Sequence, residues 1–199
     1  MIEQVQPPRR RRSTLLDFIW TGVQALVLFL ALSALIGRFE VHQISMEPTF
    51  HEGQRVLVSK LDGLWANVFV RTAHAAESRS SSPFALQRGQ VVVFYRSLAR
   101  DEDALIKRVV GLPGDTLEIN GGQVLINGAA IDEPYIHGLS TSCGTTCGPF
   151  TLAPDTYFVM GDNRLNSLDS RSFGPITADQ IVGRVVLRYW PLNQAELFP

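Results

Sequence analysis

The sequence predicts a mostly β fold: a coiled antiparallel, barrel-like sheet domain behind one N-terminal transmembrane helix. Three observations carry this expectation. A single long uncharged apolar run lies near the N-terminus, short β-branched runs bounded by Gly, Asn and Pro follow it, and no long 3.6-period segment occurs after residue 37. A length of 199 residues allows one ordinary domain plus an appendage. Hydrophobic residues at 45% against charged residues at 19% exclude a disordered chain. A net charge of −1 argues against a dedicated nucleic-acid binder, and two cysteines exclude a disulfide-dense scaffold. The basic residues are very uneven: 16 Arg and only two Lys, Lys60 and Lys107.

Residues 1–13 form a basic tail ending in Arg9, Arg10, Arg11 and Arg12, and residues 14–37 are expected to be a membrane anchor. Within that anchor, residues 18–36 carry no charge over 19 positions. A bilayer core of roughly 30 Å needs about 20 such residues at about 1.5 Å each, so the run can just span. Four arginines before it against Arg38 after it orient the N-terminus toward the cytoplasm. A cleaved secretory signal is the rival, because Ala31-Leu32-Ser33 loosely fits a small-residue cleavage site. The apolar run continues through Ala34, Leu35 and Ile36, which favours an uncleaved anchor. Residues 38–199 are then one extracytoplasmic domain.

That domain opens with a strand at residues 55–58 (RVLV) after the turn-like His51-Glu52-Gly53. A buried strand follows at 91–95 (VVVFY). Residues 116–119 (TLEI) and 123–126 (QVLI) flank Asn120-Gly121-Gly122, a hairpin signal, and Asn127-Gly128 supplies another turn at once. Further strands are expected at 156–160 and at 181–190, the latter stopped by Pro191. Residues 61–89 read as a loop-like insertion, since TAHAAESRSSSP at 72–83 is small and polar. The apolar LWANVFV at 64–70 leaves two readings open: a strand with its own core contacts, or a surface that dips into lipid. Cys143 and Cys147 lie in CGTTC with only His137 nearby, too few ligands for a metal. Outside the cytoplasm so close a pair is expected to form a small structural disulfide, contributing about 2 kcal/mol by loop entropy.

Three stretches could carry chemistry. Ser45 lies in SMEPTF just past the anchor, where Pro48 pushes Glu47 to extended geometry and places Ser45 near a bend. A hydroxyl nucleophile needs a base, and no histidine is convincingly placed. A lysine can serve if burial lowers its pKa. Lys107, preceded by Ala104-Leu105-Ile106 and followed by Val109-Val110 after Arg108, is a candidate buried amine. A strand lysine snorkelling to water is the bland alternative. The third stretch, GDNRLNSLDSR at 161–171, is too rich in Asp, Asn, Ser and Arg for a simple turn and can supply a web of charge-assisted hydrogen bonds.

Taken in order, SMEPTF (45–50), GQRVLVSKL (53–61), IKRVVGLPGD (106–115) and GDNRLNSLDSR (161–171) resemble the four boxes of the type I signal peptidase family, membrane-bound Ser–Lys proteases. The resemblance implies that Ser45 is the nucleophile and Lys107 the neutral general base, with Ser167 orienting the Lys107 amine by a hydrogen bond. It further implies that Asp162, Arg108, Asp169 and Arg171 hold the surrounding loops through ion pairs. The implied fold is a large coiled sheet with a less regular insertion, in a single-pass protein of the bacterial cell membrane. The implied partners are membrane lipid and exported preproteins, cleaved after small residues at the first and third positions before the cut. No metal or organic cofactor is implied. Two positions depart from the family pattern. Gln43 stands where a small hydroxyl residue often helps bind the oxyanion, and its amide could donate instead. Leu165 stands where the last box usually has an acid. Two rivals are a cytoplasmic self-cleaving repressor-type Ser–Lys protease, disfavoured by the anchor, and a non-catalytic tethered β module, disfavoured by the presence of both Ser45 and Lys107.

Overall fold

The computed structural model describes residues 14–60, 86–145 and 148–198. Most of the insertion at 61–89, including the apolar stretch at 64–70, lies outside the described residues, as does Cys147. The chain divides into two units, residues 1–35 and 36–199. The first contains helix α1 (Thr14–Leu35), which presents Leu16, Phe18, Trp20 and Phe29 outward. Among the described residues no helix is long and apolar enough to cross a membrane. Ile36 and Gly37, grouped above with the anchor, open strand β1 (Ile36–Glu40) instead. Backbone pairing of Ile36 with Ser59 and Gly37 with Val58 draws them into the sheet.

The second unit is mostly β, and its described strands all pair antiparallel. Its larger sheet contains β1, β2 (Arg55–Ser59), β3 (Val91–Phe94), β4 (Leu105–Gly111), β9 (Thr156–Met160), β10 (Ile176–Thr177), β11 (Ile181–Trp190) and β12 (Glu196–Leu197). Their spatial order is β1-β2-β11-β3-β4-β9-β10, with β12 on β11. The smaller sheet contains β5 (Thr116–Asn120), β6 (Gln123–Ile126), β7 (Ala129–Ala130) and β8 (Phe150–Thr151), in the order β7-β6-β5-β8.

The run at 91–94 reads as continuous rather than alternating because β3 is buried on both faces. Val92 and Phe94 join Val109, Tyr157, Val159 and Ile176 in one core cluster. Val91 and Val93 join Met46, Phe50, Val56 and Val185 in another. A third cluster, including Val110, Leu117, Val124, Phe158 and Met160, draws on strands of both sheets. The curl of the large sheet follows from register shifts along β11, between Ile181 and Gly183, Val185 and Leu187, and Arg188 and Trp190. Each extra residue bends its strand and increases the local twist. Gly183 sits where the backbone of β2 presses in: a Cβ there would lie 2.1 Å from the Ser59 carbonyl oxygen. The expected hairpin forms between β5 and β6, and its Gly121 and Gly122 both adopt positive φ.

Candidate active site

Ser45 is carried by a 3-10 turn (Ile44–Met46) that leaves β1. The turn is pinned from beneath, because Met46 and Phe50 are fully buried and the Phe50 N–H donates to the Met46 carbonyl at 2.9 Å. Glu47, ahead of Pro48, takes the extended geometry expected of it. Lys107 lies in β4, opposite Val92 of β3. It is completely buried, whereas Lys60 lies just past β2 and is exposed. Of the two lysines, burial singles out Lys107.

The Lys107 Nζ lies 2.7 Å from Ser45 Oγ and donates to the Ile106 carbonyl at 2.9 Å. Desolvation lowers the Lys107 pKa from 10.5 to about 8, against the opposing pull of the Asp169 and Asp162 carboxylates. A neutral amine then becomes accessible near neutral pH, within hydrogen-bond distance of the serine hydroxyl.

The next residue, Arg108, makes a two-pronged pair with Asp162: Nε donates to Oδ1 at 2.8 Å and Nη2 to Oδ2 at 2.6 Å. Thr49 Oγ1 also donates to Asp162 Oδ2 at 2.6 Å, which ties the Ser45 turn to the polar loop. Asp169 is the N-cap of the short helix α2 (Ser170–Phe173) and accepts from the Gly161 N–H at 3.0 Å. Arg171 donates to both of its oxygens, Nε at 2.9 Å and Nη2 at 2.8 Å. Burial pushes the Asp169 carboxyl up, but the hydrogen bonds from Arg171 and Gly161 outweigh it and hold the group below its ordinary range. The polar loop reaches the Ser45 turn directly: the Asn163 N–H donates to the Ser45 carbonyl at 3.1 Å, and Asn163 Nδ2 donates to the Ile44 carbonyl at 3.2 Å. Gly161 is needed at this junction. A Cβ there would lie 2.3 Å from Ser167 Oγ and 2.4 Å from the Ser45 carbonyl oxygen.

One contact expected at the site is absent. Ser167 Oγ is shut away from solvent, and the expected bond to Lys107 is not formed; the Lys107 amine donates to the Ile106 carbonyl. Gln43 is exposed and extended, and with Phe39, Val41, Val56, Ala104 and Ile106 it lines an apolar groove. Beside that groove, β9 pairs with β4 only from Arg108 onward, so no described strand covers that edge at residues 105–107. Cys143 is disulfide-bonded.

Sequence reasoning missed a second buried charge network. Arg164, fully buried, pairs with Glu133, donates to Thr141, and bonds the Gly161 carbonyl at 3.1 Å. Glu133 in turn accepts from the Tyr135 hydroxyl at 2.9 Å, and the Tyr135 ring lies 4.0 Å from the Arg108 guanidinium. Nothing local in DEPY at 132–135 marks it as part of a site. Its partners are some 30 residues away in the chain, Arg164 being 31 from Glu133.

Comparison with known proteins finds relatives over most of the chain. The family model "Signal peptidase, peptidase S26" matches residues 15–190. Signal peptidase I of Leptolyngbya laminosa is 33% identical over 94% of this chain and 86% of its own. That of Bacillus amyloliquefaciens is 34% identical over 92% of each chain. Signal peptidase IB of Staphylococcus aureus is 32% identical over 92% of this chain and 93% of its own. A crystal structure of a signal peptidase I from Enterococcus faecalis aligns with a TM-score of 0.42 at 31% identity, covering 50% of this chain and 95% of that one.

Proposed function

The chain belongs to the signal peptidase family, peptidase S26, and is a serine endopeptidase that cleaves signal peptides; we propose that it does so through Ser45 as nucleophile and Lys107 as general base. The observation that carries this reading is the 2.7 Å approach of a fully buried lysine amine to the serine hydroxyl. Ser45 Oγ attacks the scissile carbonyl while Lys107 Nζ takes its proton. The ammonium then protonates the leaving amine, and the neutral lysine activates the water that releases the acyl-enzyme. The developing oxyanion is held by the Ser45 N–H, with the Gln43 amide as a second donor.

The preprotein lies extended against the uncovered edge of β4 at residues 105–107, as an added strand. Its small residues at the first and third positions before the cut face the groove lined by Val41, Val56 and Ala104. Bulkier side chains are rejected there by clash. The uncharged N-terminal run, some of whose side chains lie outside the described residues, serves as a single-pass anchor in the bacterial cell membrane with its N-terminus cytoplasmic. The uncharged run at 18–36 behind four arginines, and the outward-facing Leu, Phe and Trp side chains, support this role.

Cleavage of a model preprotein by detergent-solubilised enzyme tests the dyad. Ser45→Ala should stay folded and lose cleavage, because Thr49, the nearest hydroxyl along the turn, is committed to Asp162. Lys107→Arg keeps the charge and cannot deprotonate, so it should be equally dead. Lys60→Arg should keep the acid–base step. A Lys107→Arg enzyme with near-wild-type turnover would exclude Lys107 as the base.

A further inference from the structure

Thr49 is held from two sides. Its hydroxyl donates to Asp162 in the catalytic loop, and its carbonyl accepts from Arg188 Nη1 at 2.6 Å. Arg188 lies at the far end of β11, opposite Val56, where the register against β2 shifts between Arg188 and Trp190. Shifts of this kind re-aim side chains, and this one accompanies a guanidinium that reaches into the nucleophile turn.

The rest of that guanidinium is gripped by the C-terminal segment. Nε donates to the Gln194 carbonyl at 2.8 Å, and Nη2 pairs with Glu196 at 2.5 Å. Its carbon centre lies 5.6 Å from the Phe50 ring and 5.8 Å from the Phe198 ring. Those two rings stack on each other at 4.8 Å, and the Phe198 N–H is fixed to the Val186 carbonyl at 3.0 Å. A second tie runs alongside, from Gln54 Nε2 to Gln194 Oε1 at 2.7 Å. Phe50 is the buried anchor of the turn that presents Ser45, so what fixes Phe50 and the Thr49 carbonyl also fixes the serine.

We propose that Arg188, locked by Glu196 and Phe198, is a positioning residue that holds the nucleophile turn in register with Lys107. Ser45 and Lys107 reach each other from different elements, a turn and a strand, and neither element alone sets the distance between their reacting atoms. The catalytic loop holds the turn through Asn163 and Asp162, and the C-terminal clamp holds it from the opposite side. This inference rests on the Ser45–Lys107 reading, and its failure is separable from that reading's failure. An active Ser45→Ala enzyme would sink the dyad, whereas the clamp is tested with both dyad residues intact.

The experiment uses the full chain in detergent with a model preprotein, and follows kcat, KM, the pH–rate profile and thermal melting. Arg188→Ala should lower kcat by ~10- to 100-fold, as expected for a nucleophile displaced by about 1 Å. KM should stay within ~2-fold, because the substrate groove is lined by other residues. The acid limb of the profile should not move, since the surroundings of Lys107 are untouched. Millimolar guanidinium, too dilute to denature, should restore part of the lost turnover, and Arg188→Lys should fall between the wild type and Arg188→Ala. Phe198→Ala, which loosens the clamp without removing a buried charge, should lower kcat in the same sense and decides the matter should Arg188→Ala not fold. A folded Arg188→Ala or Phe198→Ala enzyme with wild-type kcat overturns the proposal. So does a loss confined to KM, or one that guanidinium cannot relieve while melting is unchanged.

Discussion

Lys107 is the residue at which the proposed function works against stability. Its amine is buried without a carboxylate in hydrogen-bond contact, and its partners are a hydroxyl and a carbonyl. A folded-state pKa of about 8 against 10.5 means that the unfolded chain binds the extra proton more readily between those values. Stability should therefore rise with pH through that window, and the full penalty should be present below about 8. A shift of this size corresponds to roughly 3 kcal/mol. Lys107→Met keeps the length and removes the charge, so it should melt higher than the wild type at pH 7 while losing cleavage. The gain should shrink toward pH 10.5 as the wild-type lysine neutralises in both states. Denaturant titrations of both proteins at several pH values would show it. A Lys107→Met protein less stable than wild type at pH 7 would mean that the amine's hydrogen bonds outweigh its desolvation. Activity follows the same titration from the other side: kcat should climb with pH through about 8 as the base is freed.

Among the elements, the loop from β9 into α2 sets the electrostatics that the lysine feels. Asp169 raises the Lys107 pKa by its charge while being neutralised in part by Arg171. Asp169→Asn removes that negative charge, leaves Arg171 positive without its partner, and so should push the Lys107 pKa further down. The acid limb of the pH–rate profile should move to lower pH, at a cost in stability of about 3–5 kcal/mol for the orphaned guanidinium. A limb that stays in place or moves upward would show that the loop charge does not reach the base. The elements differed in how readily they could be read. The strands at 91–94, 116–120, 123–126, 156–160 and 181–190 announce themselves by β-branched runs between turn residues. Two-residue strands such as β7, β8, β10 and β12 carry no periodicity to read. The insertion of β11 between β2 and β3 is a non-local pairing that no local pattern encodes. The site divides in the same way. Ser45, Lys107 and the polar loop lie in distinctive boxes, whereas Arg164, Glu133 and Arg188 are single charges whose meaning depends on partners far along the chain. Ser167 shows the limit of transfer by resemblance, because its hydroxyl is in the right neighbourhood but does not bond the amine.

At the scale of the whole molecule, the chain divides into two units, residues 1–35 and 36–199. All three core clusters among the described residues draw their members from the second unit. The first unit offers Phe18, Ile19, Trp20 and a row of Leu and Val outward, which in water would be an aggregation hazard and in lipid is a reason to stay. If α1 is the anchor, its contribution to cleavage is one of concentration. A protease and a preprotein confined to one membrane meet as tethered partners and do not have to find each other in bulk solution. A chain beginning at Ile36 should then be recovered from the soluble fraction after an alkaline wash, while the full chain stays in the membrane pellet. On a short soluble peptide spanning a cleavage site, the two should turn over within ~3-fold of each other, since Ser45, Lys107 and their supports all lie beyond the cut. On a preprotein held in vesicles, the shortened chain should fall behind by ~10-fold or more, because its effective concentration there is lost. Release of the full chain by the alkaline wash would remove α1 as an anchor. Loss of peptide cleavage by a folded shortened chain would instead place α1 in the catalytic machinery.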